Sequence, residues 1–211
     1  MRLLLTGFEP FGEEIVNPSE AVVRVIGADP PAGVELTVRV LPVQLNSGFE
    51  HLLPALIAEP FDAWLGLGEA GGRAQLSVER VGINLFVDSA RPVEQREEQA
   101  IVEGGPAGYF SRLPQARLAQ RMRAAGAPTA VSNTAGTYYC NESLYVVQHH
   151  LATMEFDMPS GFIHLPYLPH QIADKPPGTP SMSLETQIVG VRAAIAGVRE
   201  LVDARVKAAQ A

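Results

Sequence analysis

The chain has one cysteine among its 211 residues, Cys140, and this scarcity excludes an intramolecular disulfide. A lone cysteine then has two uses: it packs as a small apolar side chain, or it acts as a nucleophile. A free thiol stays reduced in the cytoplasm, so we expect a cytoplasmic protein.

Long apolar runs, basic clusters and metal-ligand spacings are also missing. No stretch reaches the ~20 apolar residues of a membrane span, and the apolar run at residues 1–5 ends too early for a signal peptide. The formal net charge of −7 argues against nucleic acid as a partner. No His, Cys, Asp and Glu residues recur at the spacing of a metal site, so we expect no metal and no cofactor.

Apolar periodicity along the chain alternates between strand and helix patterns. It predicts strands at residues 2–6, 34–40, 61–67, 76–85, 130–132 and 161–169, the last with its exit loop. It predicts helices at residues 18–26, 48–58, 113–125, 142–150 and 184–202. Residues 91–105 and 174–180 are predicted to be loops. This order predicts an α/β fold with an open, twisted, mostly parallel sheet and helices on both faces. With 46% apolar residues and no linker, residues 1–211 should form a single domain.

Two helices carry local signals. Asn17, followed by Pro18 and Glu20, has the pattern of a helix N-cap. Pro54 lies inside the predicted helix 48–58 and should kink or shorten it, because proline removes a backbone donor.

The surroundings of Cys140 favour a nucleophile without deciding for it. A strand ends at residues 130–132, a turn follows at 134–136, and helical spacing begins at Glu142. Cys140 would therefore lie near a helix N-terminus, where the dipole and free N–H groups favour a thiolate. A buried thiol that only packs remains an equal alternative.

A nucleophilic thiol needs a base, and His164 is the best candidate. It lies within a buried apolar strand, where an imidazole must have polar partners. A satisfied core histidine is the alternative. The other histidines are expected at the surface or in a loop: His51, His149, His150 and His170.

A carboxylate should orient the base, and Glu79 is the unusual one. Glu79 and Arg80 interrupt the apolar pattern of the predicted strand 76–85. The alternative is an ion pair between these two residues at the strand edge, facing water.

Several separated motifs, spread along nearly the whole chain, resemble those of one known family. They read LTGFEPFG with NPS (residues 5–12 and 17–19), GGR with SVERV (71–73 and 77–81), SNTAGTYYCN (132–141), GFIHLPYLP (161–169) and SMSL (181–184). In these motifs the chain resembles the pyroglutamyl peptidase I (pyrrolidone-carboxylate peptidase) family of cysteine peptidases. The resemblance implies removal of an N-terminal pyroglutamyl residue from peptides, with Cys140 as nucleophile, His164 as general base and Glu79 as orienting carboxylate. It also implies a homo-oligomer, either a dimer or a tetramer.

The resemblance extends to the substrate pocket. Phe8 and Phe11 match the positions of the pocket walls, with ordinary core aromatics as the alternative, and Asn17 could position their loop. Arg91 resembles a family arginine that could assist the oxyanion, but the segment before it is about two residues longer here. Glu69 stands where some relatives carry glutamine, and Gly82 replaces the usual alanine.

Three other functions stay open. A cysteine hydrolase of different specificity could use the same fold, and a charged pocket would then exclude the neutral lactam. A non-catalytic binding module would be expected to lose one of the three proposed catalytic residues, and none is lost. A phosphate-binding protein is suggested by the glycine-rich segment 66–72, but this lacks a Gly-Lys-Ser/Thr ending, and Glu69 repels phosphate.

Overall fold

The computed structural model describes residues 1–210; Ala211, the last residue of the expected domain, lies outside them. Its centre is a six-stranded sheet. The strands of this sheet are β1 (Arg2–Phe8), β2 (Glu35–Leu41), β3 (Ala63–Glu69), β4 (Leu76–Glu79), β9 (Thr129–Ser132) and β10 (Ser160–Leu165). Their order across the sheet is β2-β1-β3-β10-β4-β9. Four of the five pairings are parallel, and only β10 with β4 is antiparallel. The predicted fold class is confirmed.

Five α-helices cover the sheet on both faces. They are α1 (Pro18–Ala28), α2 (Leu53–Ile57), α3 (Gln115–Ala124), α4 (Tyr139–Thr153) and α5 (Leu184–Ala209). Helices α1, α3 and α5 share one apolar cluster with one face, and α2 and α4 share a second cluster with the other face. No helix among residues 1–210 is both long and apolar enough to cross a membrane.

Side chains of the central strands alternate between these two clusters, as the two-residue period of a strand requires. In β10, Ile163 and Leu165 pack toward α5, whereas Phe162 packs toward α4. His164 therefore faces the α4 side. In the neighbouring β4, Leu76 and Val78 pack toward α5, which leaves the side chains of Ser77 and Glu79 on the α4 side. The alternation thus places both predicted polar residues on one face of the sheet.

Two helix starts follow the local signals. The Asn17 side chain accepts a hydrogen bond from the Ser19 N–H at 2.9 Å, so Asn17 is the N-cap of α1 as predicted. In the helix predicted at 48–58, a π-helical turn (Gly48–Leu52) precedes α2. Pro54 has no N–H for the Glu50 carbonyl, and the Leu53 N–H bonds to the Gly48 carbonyl across the wider turn.

Two predictions of secondary structure were wrong. The strand predicted at 76–85 is split, because Glu79 ends β4 and the chain continues as β5 (Val81–Ile83), which pairs with β8 (Gly108–Phe110) outside the central sheet. The loop predicted at 91–105 contains a 3-10 turn (Val93–Gln95) and β7 (Glu98–Gln99), which pairs with β6 (Phe86–Val87). The predicted loop 174–180 has no helix or strand.

The parallel strands β1, β3 and β10 point the same way, so their carboxyl ends share one edge of the sheet. Open α/β sheets bind ligands beyond this edge. Phe8 ends β1, Glu69 ends β3, and His164 is the penultimate residue of β10. The fold therefore gathers residues of two sequence motifs and of the glycine-rich segment 66–72 at one place.

The packing of α5 gives a stability prediction with an internal control. Val191 is 0% exposed in the core, whereas Val189, two residues earlier, is 42% exposed. Val191→Ala should lower the free energy of unfolding by about 2 kcal/mol, because two buried methyl groups and their contacts are lost. Val189→Ala should change it by less than about 0.5 kcal/mol. Urea unfolding of both variants measures the difference, and equal losses would contradict this packing of α5.

Candidate active site

The thiol of Cys140 lies over the sheet beside His164. Cys140 is in the first turn of α4, and a Cβ built on Gly68 would lie 2.5 Å from its Sγ. Gly68 of β3 is in turn the register partner of His164 of β10. Because neighbouring strands are ~4.8 Å apart, the thiol and the imidazole are close neighbours above two adjacent strands.

Glu79 approaches His164 from the strand on the other side. His164 Nδ1 and Glu79 Oε1 are 2.7 Å apart, and the side chains are 4% and 0% exposed. With Glu79 ionised, Nδ1 carries the proton, and Nε2 remains as an acceptor. The order β3-β10-β4 thus sets the imidazole between the thiol on one side and the carboxylate on the other.

The partner of Glu79 is Arg73, not the adjacent Arg80. Arg73 Nη1 lies 2.6 Å from Glu79 Oε1, whereas Arg80 Nη1 donates to the side-chain oxygen of Asn133. The water-facing ion pair between Glu79 and Arg80 is therefore wrong, because Glu79 is fully buried and the two side chains point to different partners. Burial raises the pKa of Glu79, but the hydrogen bond and electrostatic attraction of His164, with smaller contributions from Ser132 and Arg73, outweigh it. This pKa therefore lies below its usual value.

The resting state of Cys140 differs from the sequence expectation. Cys140 does lie at a helix N-terminus, but burial, followed by the charges of Glu79 and Glu69, raises the pKa of its thiol to about 12. The expected preference for a thiolate is overturned, because desolvation and two carboxylates outweigh the helix end. Arg73 acts in the opposite direction and lowers this pKa. A thiol in this setting needs a base to become a nucleophile.

The backbone around Cys140 is held firmly and still offers a donor. Asn141, which is fully buried, bonds through its side chain to the N–H and carbonyl of Ile83 and the carbonyl of Leu85, each at 2.9 Å. The Cys140 N–H lies in the first turn of α4, where N–H groups have no partner within the helix. This N–H can bind a developing oxyanion next to the thiol.

A cavity of about 330 Å³ opens beside these groups. Its lining combines aromatic rings, small residues and a few polar groups: Phe8, Phe11, Asn17, Val43, Glu69, Ala70, Gly71, Arg73, Ser89, Ala135, Gly136, Tyr138, Tyr139, Cys140 and His164. This volume suits a small ring. The structure therefore brings together six of the seven sequence-predicted site residues, of which Glu79 lies just beneath the lining.

Asn17 lines the cavity with its polar atoms already engaged. Its Oδ1 accepts from the Ser19 N–H at 2.9 Å and from the Ser19 hydroxyl at 2.7 Å, and its Nδ2 donates to the Glu9 carbonyl at 3.0 Å. The Ser19 hydroxyl in turn accepts from the Phe8 N–H. Asn17 therefore anchors the loop that follows β1 and presents Phe8 and Phe11 to the cavity.

Arg91 does not line the cavity. Its side chain is 58% exposed, and its Nε lies 3.1 Å from Asp88 Oδ2, three residues earlier. The segment before Arg91 contains β6, which pairs with β7 after Arg91, so Arg91 lies in the connection between these two strands. The structure brings Ser89, not Arg91, to the lining.

Glu69 belongs to a polar cluster on one flank of the cavity. Gln171 Nε2 donates to Glu69 Oε2 at 2.7 Å and also reaches Glu14, which pairs with Lys175. The pKa of Glu69 lies above its usual value, because burial raises it by more than the hydrogen bond from Gln171 lowers it. Both charged lining side chains, Glu69 and Arg73, thus have polar or charged partners.

Sequence reasoning missed three contributors to this site. Arg73 and Asn141 lie inside two of the motifs, and Gly68 lies in the glycine-rich segment 66–72. Two of the three have a signal in the sequence: Arg73 stands next to two glycines, and Asn141 directly follows the cysteine. His149, expected at the surface, is half-buried, stacks on Tyr145 and bonds to the Tyr109 hydroxyl, away from the cavity.

A thiol and an imidazole that share a cavity at the carboxyl edge of an open α/β sheet are the groups that a cysteine peptidase needs. Comparisons with known proteins show the family. The profile of the family described as "Pyroglutamyl peptidase" matches residues 1–200. The chain belongs to this family.

Named relatives are similar to the chain over nearly its full length. A pyrrolidone-carboxylate peptidase of Yersinia pestis (strain Pestoides F) is 42% identical over 205 residues, which cover 92% of this chain and 91% of that one. A mutant pyrrolidone carboxyl peptidase of Pyrococcus furiosus superposes with a TM-score of 0.88 at 38% identity, covering 96% and 100% of the two chains. Pyroglutamyl peptidase I of Bacillus amyloliquefaciens superposes with a TM-score of 0.86 at 34% sequence identity, covering 93% of this chain and 94% of that one.

The absence of a side chain at Gly68 is a testable requirement of the site. A Cβ there would lie 2.5 Å from Cys140 Sγ and 2.9 Å from Phe162, so Gly68→Ala must displace the thiol or the sheet beneath it. We expect the alkylation rate of Cys140 by iodoacetamide to change at least about tenfold, because a displaced thiol has a different exposure and pKa.

Gly66→Ala is the matched control. Its Cβ would meet Phe162 and Trp64 but is not near the thiol. It should destabilise the fold by a comparable amount, while the alkylation rate of folded protein stays within about twofold of the unmutated protein. Equal alkylation changes in the two variants would contradict the contact between Gly68 and Cys140.

Proposed function

We propose that this chain is a cysteine exopeptidase that removes an N-terminal L-pyroglutamyl residue from peptides. The observation that carries the proposal is the convergence of Cys140 and His164 on one cavity, with Glu79 bonded to the imidazole, in a member of the pyroglutamyl peptidase family. The substrates are peptides that begin with pyroglutamate, and the reaction needs no cofactor.

The first half of the reaction forms an acyl-enzyme. His164 Nε2 takes the thiol proton as Cys140 Sγ attacks the pyroglutamyl carbonyl carbon, because the raised thiol pKa leaves little thiolate at rest. The Cys140 N–H stabilises the oxyanion of the tetrahedral intermediate. When the C–N bond breaks, the imidazolium gives its proton to the leaving amine, and a thioester remains on Cys140.

The second half releases pyroglutamate. His164 removes a proton from a water molecule that attacks the thioester carbonyl, and the proton then returns to the sulfur as the C–S bond breaks. Glu79 holds Nδ1–H throughout and stabilises the imidazolium at each step. Burial of this pair in the sheet keeps the ring orientation constant between the two halves.

The shape of the cavity favours a small neutral ring. Phe8 and Phe11 supply aromatic walls, and Asn17 fixes their loop. The two charged lining residues have partners of their own: Arg73 pairs with Glu79, and Glu69 with Gln171. A cavity without an unpaired charge accepts a lactam. The alternative is a cysteine hydrolase that takes a different acyl group, and Glu69 is the residue that would favour it.

Two further expectations belong to this proposal. We propose that residues 1–211 act as one peptidase domain, since both apolar clusters of the described residues pack against the same sheet. The dimer or tetramer implied by the resemblance stays a prediction, which sedimentation of the purified chain would check.

The activity is tested with a pyroglutamyl amide that releases a fluorescent amine, with a prolyl amide as comparison. Pyroglutamyl hydrolysis should exceed prolyl hydrolysis by at least about 100-fold, because a site that bonds the lactam leaves its polar groups unpaired with proline. Cys140→Ala should abolish turnover without lowering the unfolding midpoint strongly, since the substitution removes a single sulfur atom at the lining of the cavity. Preference for another acyl group, or substantial turnover by Cys140→Ala, would refute the proposal.

The role of Glu79 is tested by Glu79→Gln. Loss of the negative charge beside Nδ1 should lower kcat by roughly 10²–10⁴-fold, because the imidazolium is no longer stabilised. KM should change little, since Glu79 is buried beneath the lining.

The control for this variant is Glu142→Gln, at a glutamate that is 2% exposed and lies outside the cavity. Steady-state kinetics and melting curves of both variants separate loss of chemistry from loss of fold. A kcat near the unmutated value in folded Glu79→Gln would remove Glu79 from the mechanism.

A further inference from the structure

We infer that Arg73 is a positioning residue of the proposed site, which keeps Glu79 ionised against His164 and ties this pair to the loop that carries Cys140. The inference rests on the proposed function. It concerns a residue that touches the orienting carboxylate and not the reacting atoms.

The guanidinium of Arg73 joins two segments. Its Nη1 lies 2.6 Å from Glu79 Oε1 at the end of β4, and its Nη2 donates to the Thr134 carbonyl at 3.2 Å. Thr134 belongs to the turn between β9 and α4, six residues before Cys140. The Ser132 hydroxyl donates to the same carbonyl at 3.0 Å, so Thr134 O is a fixed anchor. One planar cation therefore links the carboxylate to the segment that leads to the nucleophile.

Both partners of Glu79 use the same oxygen. Oε1 accepts from His164 Nδ1 and from Arg73 Nη1, whereas Oε2 is buried without a hydrogen-bond partner. A buried carboxylate with an unpartnered oxygen is costly, and it would take up a proton without nearby positive charge. Arg73 is the arginine that supplies this charge, since Arg80 bonds to Asn133. Arg73 thus adds to the larger effect of His164, and to that of Ser132, in keeping Glu79 ionised.

The cation also acts on the thiol. Burial raises the pKa of Cys140, Glu79 and Glu69 raise it further, and the charge of Arg73 opposes this rise. Arg73 is 29% exposed and lines the cavity, so its charge faces the space in which the thiol reacts. Removing this charge should therefore slow thiolate chemistry at a fixed pH, even without any substrate.

The sign of the pH effect follows from these charges. The acid limb of the kcat/KM profile reports proton uptake by the coupled Glu79–His164 pair. Removing a cation beside the pair makes proton uptake easier, so the limb should move to higher pH. A shift of about one pH unit is typical for one charge at hydrogen-bond distance. An arginine that only braced the loop would lower activity without moving this limb.

The experiment compares Arg73→Met, Arg73→Lys and Arg80→Met. Arg73→Met should lower kcat/KM at least about tenfold, move the acid limb up by about one pH unit and slow iodoacetamide alkylation of Cys140 at pH 8 several-fold. Arg73→Lys should return the limb to within about 0.3 units of its original position, because it restores the charge. Arg80→Met should match the unmutated protein in all three measurements.

An unmoved acid limb in Arg73→Met, or a limb that Arg73→Lys fails to restore, would overturn the inference. If Arg73→Met does not fold, Arg73→Lys alone tests the inference. An acid limb of kcat/KM that moves to higher pH in this variant, although the charge is kept, would overturn the inference. Failure of the proposed function is distinguishable. In that case the unmutated protein would not cleave the pyroglutamyl amide, while the alkylation rates would still report whether Arg73 acts on Cys140.

Discussion

The buried hydrogen bond between Glu79 and His164 is the interaction on which the rest of the site depends. It joins two neighbouring antiparallel strands, β4 and β10, through side chains that both face α4. Neither group could be buried alone, because an unpaired carboxylate or imidazole in the core carries a desolvation penalty that its partner offsets. The pair also determines which imidazole nitrogen stays free to act on the thiol.

The electrostatics of the cavity follow from this burial. Desolvation and two carboxylates raise the pKa of the Cys140 thiol, and Arg73 limits their effect. A protonated thiol transfers its proton only when a base is aligned with it. Under the proposed mechanism, the reactivity of Cys140 therefore depends on the geometry of His164 and not on a thiolate that is present at all times.

Small residues on β3 make this geometry possible. Gly66 and Gly68 leave room on the α4 face of the sheet for Phe162 and for the sulfur of Cys140. A side chain at Gly68 would occupy the place of the thiol. The same face carries Trp64, whose indole N–H donates to the Thr6 hydroxyl at 3.1 Å. The floor of the site is thus a packed apolar surface with one small gap, which the sulfur of Cys140 fills.

The sequence by itself determined the α/β class, the cap at Asn17 and the long closing helix, because periodicity and capping chemistry depend on residues that are near one another in the chain. It also determined the candidates Cys140, His164 and Glu79, because the motifs and their order are visible along the sequence. Only the tertiary structure decided what distant residues do to one another. It ended β4 at Glu79, paired this carboxylate with Arg73 instead of the adjacent Arg80, and placed Arg91 outside the cavity. It also reversed the expected state of the thiol, since the helix end beside Cys140 is visible in the sequence whereas burial and the approach of Glu69 and Glu79 are not. Charge pairing and desolvation depend on distances through space, and these exist only once the sheet has brought β3, β4 and β10 together.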